Sequence, residues 1–160
     1  MERYERAFLA ASAVVLVIFL AALAYSSVAM GIHLPSHNAM IHYQAGDKLR
    51  MVLRHTPPFD HLGVREIAPG KYQAVVIGRV WDFMPSEIDV PVGAEVSFVA
   101  TSADVIHGFF IAGTRVNMML IPGYVSEFDY RFTRPGEYLL ICEEYCGHLH
   151  HTMSGKVVVK

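Results

Sequence analysis

A chain of 160 residues with 13 basic and 15 acidic side chains and a mean hydropathy of +0.33 has room for one globular domain plus one strongly apolar segment. The net charge of −2 excludes a broadly basic surface, so no nucleic-acid partner is expected. With only 18% charged residues, the composition points to a membrane contribution.

The apolarity is concentrated at one end. Residues 7–31, AFLAASAVVLVIFLAALAYSSVAMG, carry no charge, and a helix of about 25 residues rising about 1.5 Å each spans a hydrocarbon core of about 30 Å. The rival reading is a cleaved secretory signal, with the arginines of MERYER in front and Ala22-Leu23-Ala24 as a small-residue cleavage site. A signal's apolar core runs only about 7 to 15 residues, so an uncleaved transmembrane anchor is expected over residues 1–31. Arg3 and Arg6 precede the helix and no Lys or Arg follows it until Lys48. The positive-inside rule therefore puts the N-terminus in the cytoplasm and the rest outside, in a single-pass protein of the cell membrane.

Residues 32–70 read as a connector, because IHLPSHNAM, HTPPFDHLG and IAPGK place Pro, Gly and His too densely for regular elements. Its histidines, His33, His37, His42, His55 and His61, are expected to form a solvated strap. From residue 71 to 160 the pattern becomes short β-type runs: YQAVVIGRVW, EIDVPVGAEVSFVATS, YVSEFDYRF, EYLLIC and GKVVVK, separated by turn signals such as IPG and TRPG. Phe128, Tyr130 and Phe132 alternate with Glu127, Asp129 and Arg131, as on a strand with one face inward. A β-sandwich or Greek-key barrel of roughly 90 residues follows, large enough to hold a core without a disulfide.

Between the last two runs lies CEEYCGHLHHTM, residues 142–153, with the only two cysteines of the chain. Cys142, Cys146, His150 and Met153 gather two thiols, an imidazole and a thioether, and such soft donors select copper or zinc over hard cations. A mononuclear blue-copper site uses one Cys and two His, whereas two thiolates are able to bridge two metal ions. A second imidazole must then come from elsewhere, and His107 in SADVIHGFFIAG, after the strand EVSFVA, is the candidate. Met153 would be the weak ligand of one ion and a backbone carbonyl that of the other. Against this stands a Cys142–Cys146 disulfide, which an extracytoplasmic location permits. It leaves His107, His150 and Met153 unexplained. His148 and His151 fall outside the ligand spacing and are expected to face solvent, and Met118 and Met119 are expected to pack.

The strings DVIHGF, RPGEY and C-x-E-x-C-x-x-x-H-x-x-M together resemble subunit II of haem-copper cytochrome oxidases, most closely over residues 87–160. The single helix and short connector are similar to the compact second subunit of the ba-type branch. This resemblance implies a cupredoxin-like fold behind one transmembrane helix, holding the binuclear copper centre CuA. By the same resemblance Cys142 and Cys146 bridge, His107 and His150 terminate, Met153 is axial, Glu144 gives its backbone carbonyl, and the Glu144 side chain is a candidate magnesium ligand. The resemblance implies that electrons arrive from cytochrome c or a cupredoxin near Trp81, with Phe83 extending an apolar patch, and leave through His150 toward haem in subunit I. The chain would serve an oxidase without a catalytic pocket of its own. Other readings are the CuA subunit of a related nitric oxide reductase and a membrane-tethered mononuclear copper-binding or delivery domain.

Overall fold

The computed structural model describes residues 2–30, 36–42 and 49–160, without the side chains of residues 37 and 38. The chain divides into two units, residues 1–34 and 35–160. The boundary expected at residues 31–32 and the histidine at 33 lie outside the described residues.

The first unit is one helix, α1, Arg3–Val28. The Glu5 carboxylate accepts a hydrogen bond from the Glu2 N–H at 2.9 Å, satisfying a donor at the helix start where negative charge also suits the dipole. No residue of α1 is buried. A helix this apolar on every side is suited to lipid, and its 26 residues are long enough to cross a bilayer.

The second unit is built from eleven described strands. A six-stranded sheet holds β1 (Ser36–Met40), β2 (Gly63–Ala68), β3 (Lys71–Arg79), β4 (Asp82–Met84), β6 (Glu95–Ser102) and β9 (Tyr124–Arg131) in the order β1-β9-β6-β3-β2, with β4 on β3. The other sheet holds β5 (Glu87–Val90), β7 (His107–Ile111), β8 (Asn117–Leu120), β10 (Gly136–Ile141) and β11 (Ser154–Val159) in the order β5-β11-β10-β7-β8. Pairing is antiparallel except for β3 with β6 and β5 with β11. The main core lies between the sheets, where Phe83, Phe98, Phe109 and Phe132 are almost without exposed surface. Their rings meet edge-on or tilted, with Phe109 5.7 Å from both Phe83 and Phe98.

The expected connector contains regular structure instead. Besides β1 and β2 it carries a short helix, α2 (Leu49–Leu53), and it packs as part of the unit. Ile41, Leu49, Leu53 and Phe59 are buried against Val75, Ile77, Val99 and Val125. On β3 the pleat sends Ala74 and Val76 into the main core and Val75 and Ile77 into this second one. Its continuous buried run AVVIG therefore reports a strand covered on both faces. The polar, proline-rich spelling hid this, because the apolar anchors are few and widely spaced. His42, His55 and His61 are exposed, as expected of a strap.

Candidate metal centre

The loop leaves β10 and returns on β11, neighbouring strands whose last pair is Ile141 with Ser154. One step further, the Cys142 N–H donates to the Met153 carbonyl at 3.3 Å, so these two residues face each other at the loop's neck. Inside the loop Gly147, at φ 119°, makes a turn that a side chain resists. A short 3-10 turn, His150–Thr152, follows. His150 N–H donates to the Gly147 carbonyl at 3.1 Å, which folds the imidazole back over Cys146. The remaining imidazole, His107, opens β7, which pairs with β10 through Ile141 and Phe110 and so begins beside the loop.

These elements bring six donors together. The Sγ atoms of Cys142 and Cys146 are 3.7 Å apart and the thiols are free. Nδ1 of His107 lies 3.8 Å from Cys142 Sγ, and Nδ1 of His150 lies 3.4 Å from Cys146 Sγ. The Met153 thioether is 3.8 Å from Cys146 Sγ, and the Glu144 carbonyl oxygen is 3.2 Å from Cys142 Sγ. A disulfide needs about 2.05 Å. A metal ion sits about 2.3 Å from a thiolate and about 2.0 Å from an imidazole nitrogen, so separations of 3.4 to 3.8 Å suit donors that share ions between them. Two thiols, two imidazoles, a thioether and a carbonyl fit copper, and His107, Cys142, Cys146 and Met153 are all buried.

Two groups brace the site that the sequence reading missed. Asp104 accepts hydrogen bonds from His107 Nε2–H at 2.8 Å and Val105 N–H at 2.7 Å through Oδ1, and from Val80 N–H at 2.9 Å through Oδ2. Burial works against its charge, but the Val80 and His107 hydrogen bonds outweigh it and hold the carboxyl below its ordinary value. An ionised carboxylate only accepts, so Nε2 of His107 carries a proton toward Asp104 while Nδ1 faces Cys142. The available signal was an acid three residues before the histidine in DVIH. Gly78 supplies the floor: a Cβ there would stand 3.3 Å from the His107 ring.

Burial raises the Cys146 thiol to about 11, helped by the hydrogen bond and charge of Cys142. Trp81, half-buried, lies against the loop, its Nε1 3.3 Å from where a Gly147 side chain would begin. Phe83 does not extend a surface patch beside it. The alternation of β4 turns Phe83 wholly into the core while Asp82 and Met84 stay part-exposed. Met118 packs in the core as expected, but Met119, on the opposite face of β8, is 39% exposed. His148 and His151 are exposed. The Glu144 side chain is exposed too, and among the described residues the only group of three or more His, Cys, Asp or Glu ligand atoms is that of His107, Cys142 and Cys146. Nothing there supports magnesium.

The chain resembles known proteins over most of its length. Residues 73–160 match the family described as cytochrome C oxidase subunit II, periplasmic domain. A cytochrome c oxidase subunit 2 of Thermus thermophilus is 39% identical over 98% of this chain and 92% of its own length. The alternative cytochrome c oxidase subunit 2 of Bradyrhizobium diazoefficiens is 31% identical over 68% of this chain and 37% of its own. Among solved structures, a chain of a haem-copper terminal oxidase dimer superposes with a TM-score of 0.74 at 30% identity, covering 99% of this chain and all of that one. The periplasmic domain of subunit II from Bradyrhizobium japonicum, at 23% identity, TM-score 0.52 and coverage of 55% of this chain and 83% of that one, shows the shared cupredoxin-like fold.

Proposed function

The chain belongs to the cytochrome c oxidase subunit II family, and from that premise we propose that its six converging donors hold a binuclear copper centre that takes electrons from a soluble carrier and passes them to subunit I. The observation that carries this reading is the pair of free, buried thiols 3.7 Å apart, each with its own imidazole. When bound, two coppers share one unpaired electron between them, which halves the charge change at each.

The chain's own residues do the rest. Cys142 and Cys146 would supply the two thiolates, His107 and His150 one imidazole each, and Met153 and the Glu144 carbonyl the weak donors, all of them held by the ends of β7, β10 and β11 and the loop between them. Trp81, packed on the residue after Cys146, is the point of electron uptake. His150, half-exposed on the rim, is the point of departure. Asp82, Glu87 and Asp89 are paired with Arg79, Lys156 and Lys160, Glu143 and Glu144 are exposed on the loop, and Val80, Val105, Ile106, Tyr145 and Leu149 form an exposed apolar rim on segments that hold the site. A cytochrome c or cupredoxin would dock there with little electrostatic steering. Its association rate should change little with ionic strength, and a steep fall as salt is raised would contradict an apolar dock. The helix α1 anchors the chain with its N-terminus in the cytoplasm and the β unit outside.

The deciding measurement is electron paramagnetic resonance of the full-length chain in detergent, loaded with copper, alongside metal analysis. Two coppers per chain and hyperfine splitting from two equivalent nuclei are expected. One copper per chain with splitting from a single nucleus would overturn the binuclear reading in favour of a mononuclear site.

A further inference from the structure

Gly108 follows the ligand His107 on β7 and is buried. A Cβ placed on it would stand 2.7 Å from Glu143 Cγ, 2.8 Å from the Glu143 nitrogen and 2.9 Å from the Glu144 nitrogen. Packed atoms do not approach so closely without displacement. Two of the three are main-chain atoms, so a side-chain rotation relieves only one. Gly108 also differs from Gly147, whose φ of 119° itself favours glycine, because Gly108 is not among the positive-φ glycines. Here glycine is needed for space alone.

What occupies that space is the stretch of loop bearing the weak oxygen donor. The Glu143 and Glu144 amides lie directly before the Glu144 carbonyl, whose oxygen is 3.2 Å from Cys142 Sγ. We propose that Gly108 is a positioning residue for this carbonyl: its missing side chain lets β7 press against the Glu143–Glu144 backbone and sets the oxygen's place beside Cys142 Sγ, from which it would reach a bound metal. One strand would then deliver a strong donor, the His107 imidazole, and at the next residue set the reach of a weak one. Weak axial-type donors tune potential and spectrum more than they govern retention. Gly108→Ala therefore leaves the two thiolates and two imidazoles in place while altering the environment of one copper. The inference rests on the binuclear reading.

The test uses the protein in detergent with four sequences: wild type, Gly108→Ala, Glu143→Ala and the double variant. With copper bound, Gly108→Ala should keep two coppers per chain, shift the reduction potential and make the two hyperfine couplings unequal. Glu143→Ala, which removes only the Cγ contact, should match wild type in both. The double variant should stay displaced, because the main-chain contacts remain. An unmoved potential and spectrum in Gly108→Ala, or their restoration in the double variant, overturns the inference. A wild type that binds one copper overturns the binuclear reading instead. Should Gly108→Ala not fold, wild-type NMR without copper decides. Strong proton contacts from the Gly108 α-hydrogen to the Glu143 and Glu144 amides are expected, and their absence refutes the close approach.

Discussion

His107 has no exposed surface, starts a strand, and has its outer nitrogen held by Asp104 at 2.8 Å; His150 is half-exposed, sits in a three-residue turn, and meets the Tyr145 ring edge-on at 5.8 Å. The two imidazoles would do the same chemical job, yet one belongs to the sandwich and the other to the loop. The difference assigns the halves of the site different work: the inner half fixes geometry, and the outer half is open to a partner. Cys142 and Cys146 join the halves, since each sulfur lies nearest a different imidazole.

The largest effect is expected where the halves meet. Cys142→Ser or Cys146→Ser should abolish the two-copper resonance altogether, and an unaltered signal in either variant would show that the sulfurs are not shared. Next come His107→Gly and His150→Gly, each assayed with and without millimolar imidazole. Added imidazole should restore the spectrum of the half-exposed His150 variant and not that of the buried His107 variant; equal rescue would erase the distinction between inner and outer halves. Asp104→Asn should weaken copper binding by about ten- to a hundredfold, while Tyr145→Phe should leave it unchanged. A silent Asp104→Asn would mean that the inner imidazole needs no brace.

The smallest effect is graded with pH. The Cys146 thiol titrates near 11, above its ordinary 9.0, because burial and its neighbour Cys142 disfavour the thiolate. Its proton must leave when metal binds, so this thiol alone should contribute about a tenfold rise in apparent copper affinity per pH unit below that value. The metal-free protein should in turn lose stability as pH climbs from about 9 toward 11, since the unfolded chain gives up the proton first. Copper titrations and thermal melts across this range check both, and an affinity independent of pH would contradict a buried, protonated thiol.

The same division governs what could be read from sequence. The outer half is local: Cys142, Cys146, His150 and Met153 fall within twelve residues, and their spacing is legible because one loop carries them. His107 was legible only through its string and its place after a strand. Asp104 and Gly108 were not, because one acts through a hydrogen bond and the other by lacking atoms. The strands β3, β6, β9, β10 and β11 announced themselves by branched and aromatic runs. Strand β7 did not, since HGFFI is buried on both faces and shows no alternation, with only Phe110 part-exposed. Phe83 escapes a sequence reading because three residues of β4 are too few to display which side faces the core.

The second apolar layer, formed by Ile41, Leu49, Leu53 and Phe59 over the six-stranded sheet, bears on how this protein is handled. A soluble fragment trimmed to begin at residue 71, where the conspicuous strands start, would strip that cover from Val75, Ile77, Val99 and Val125 and leave β3 without its β2 neighbour. Such a fragment would present a bare greasy sheet with an open edge, an invitation to clumping. A cut made just after the anchor, keeping the strap, would leave that cover in place.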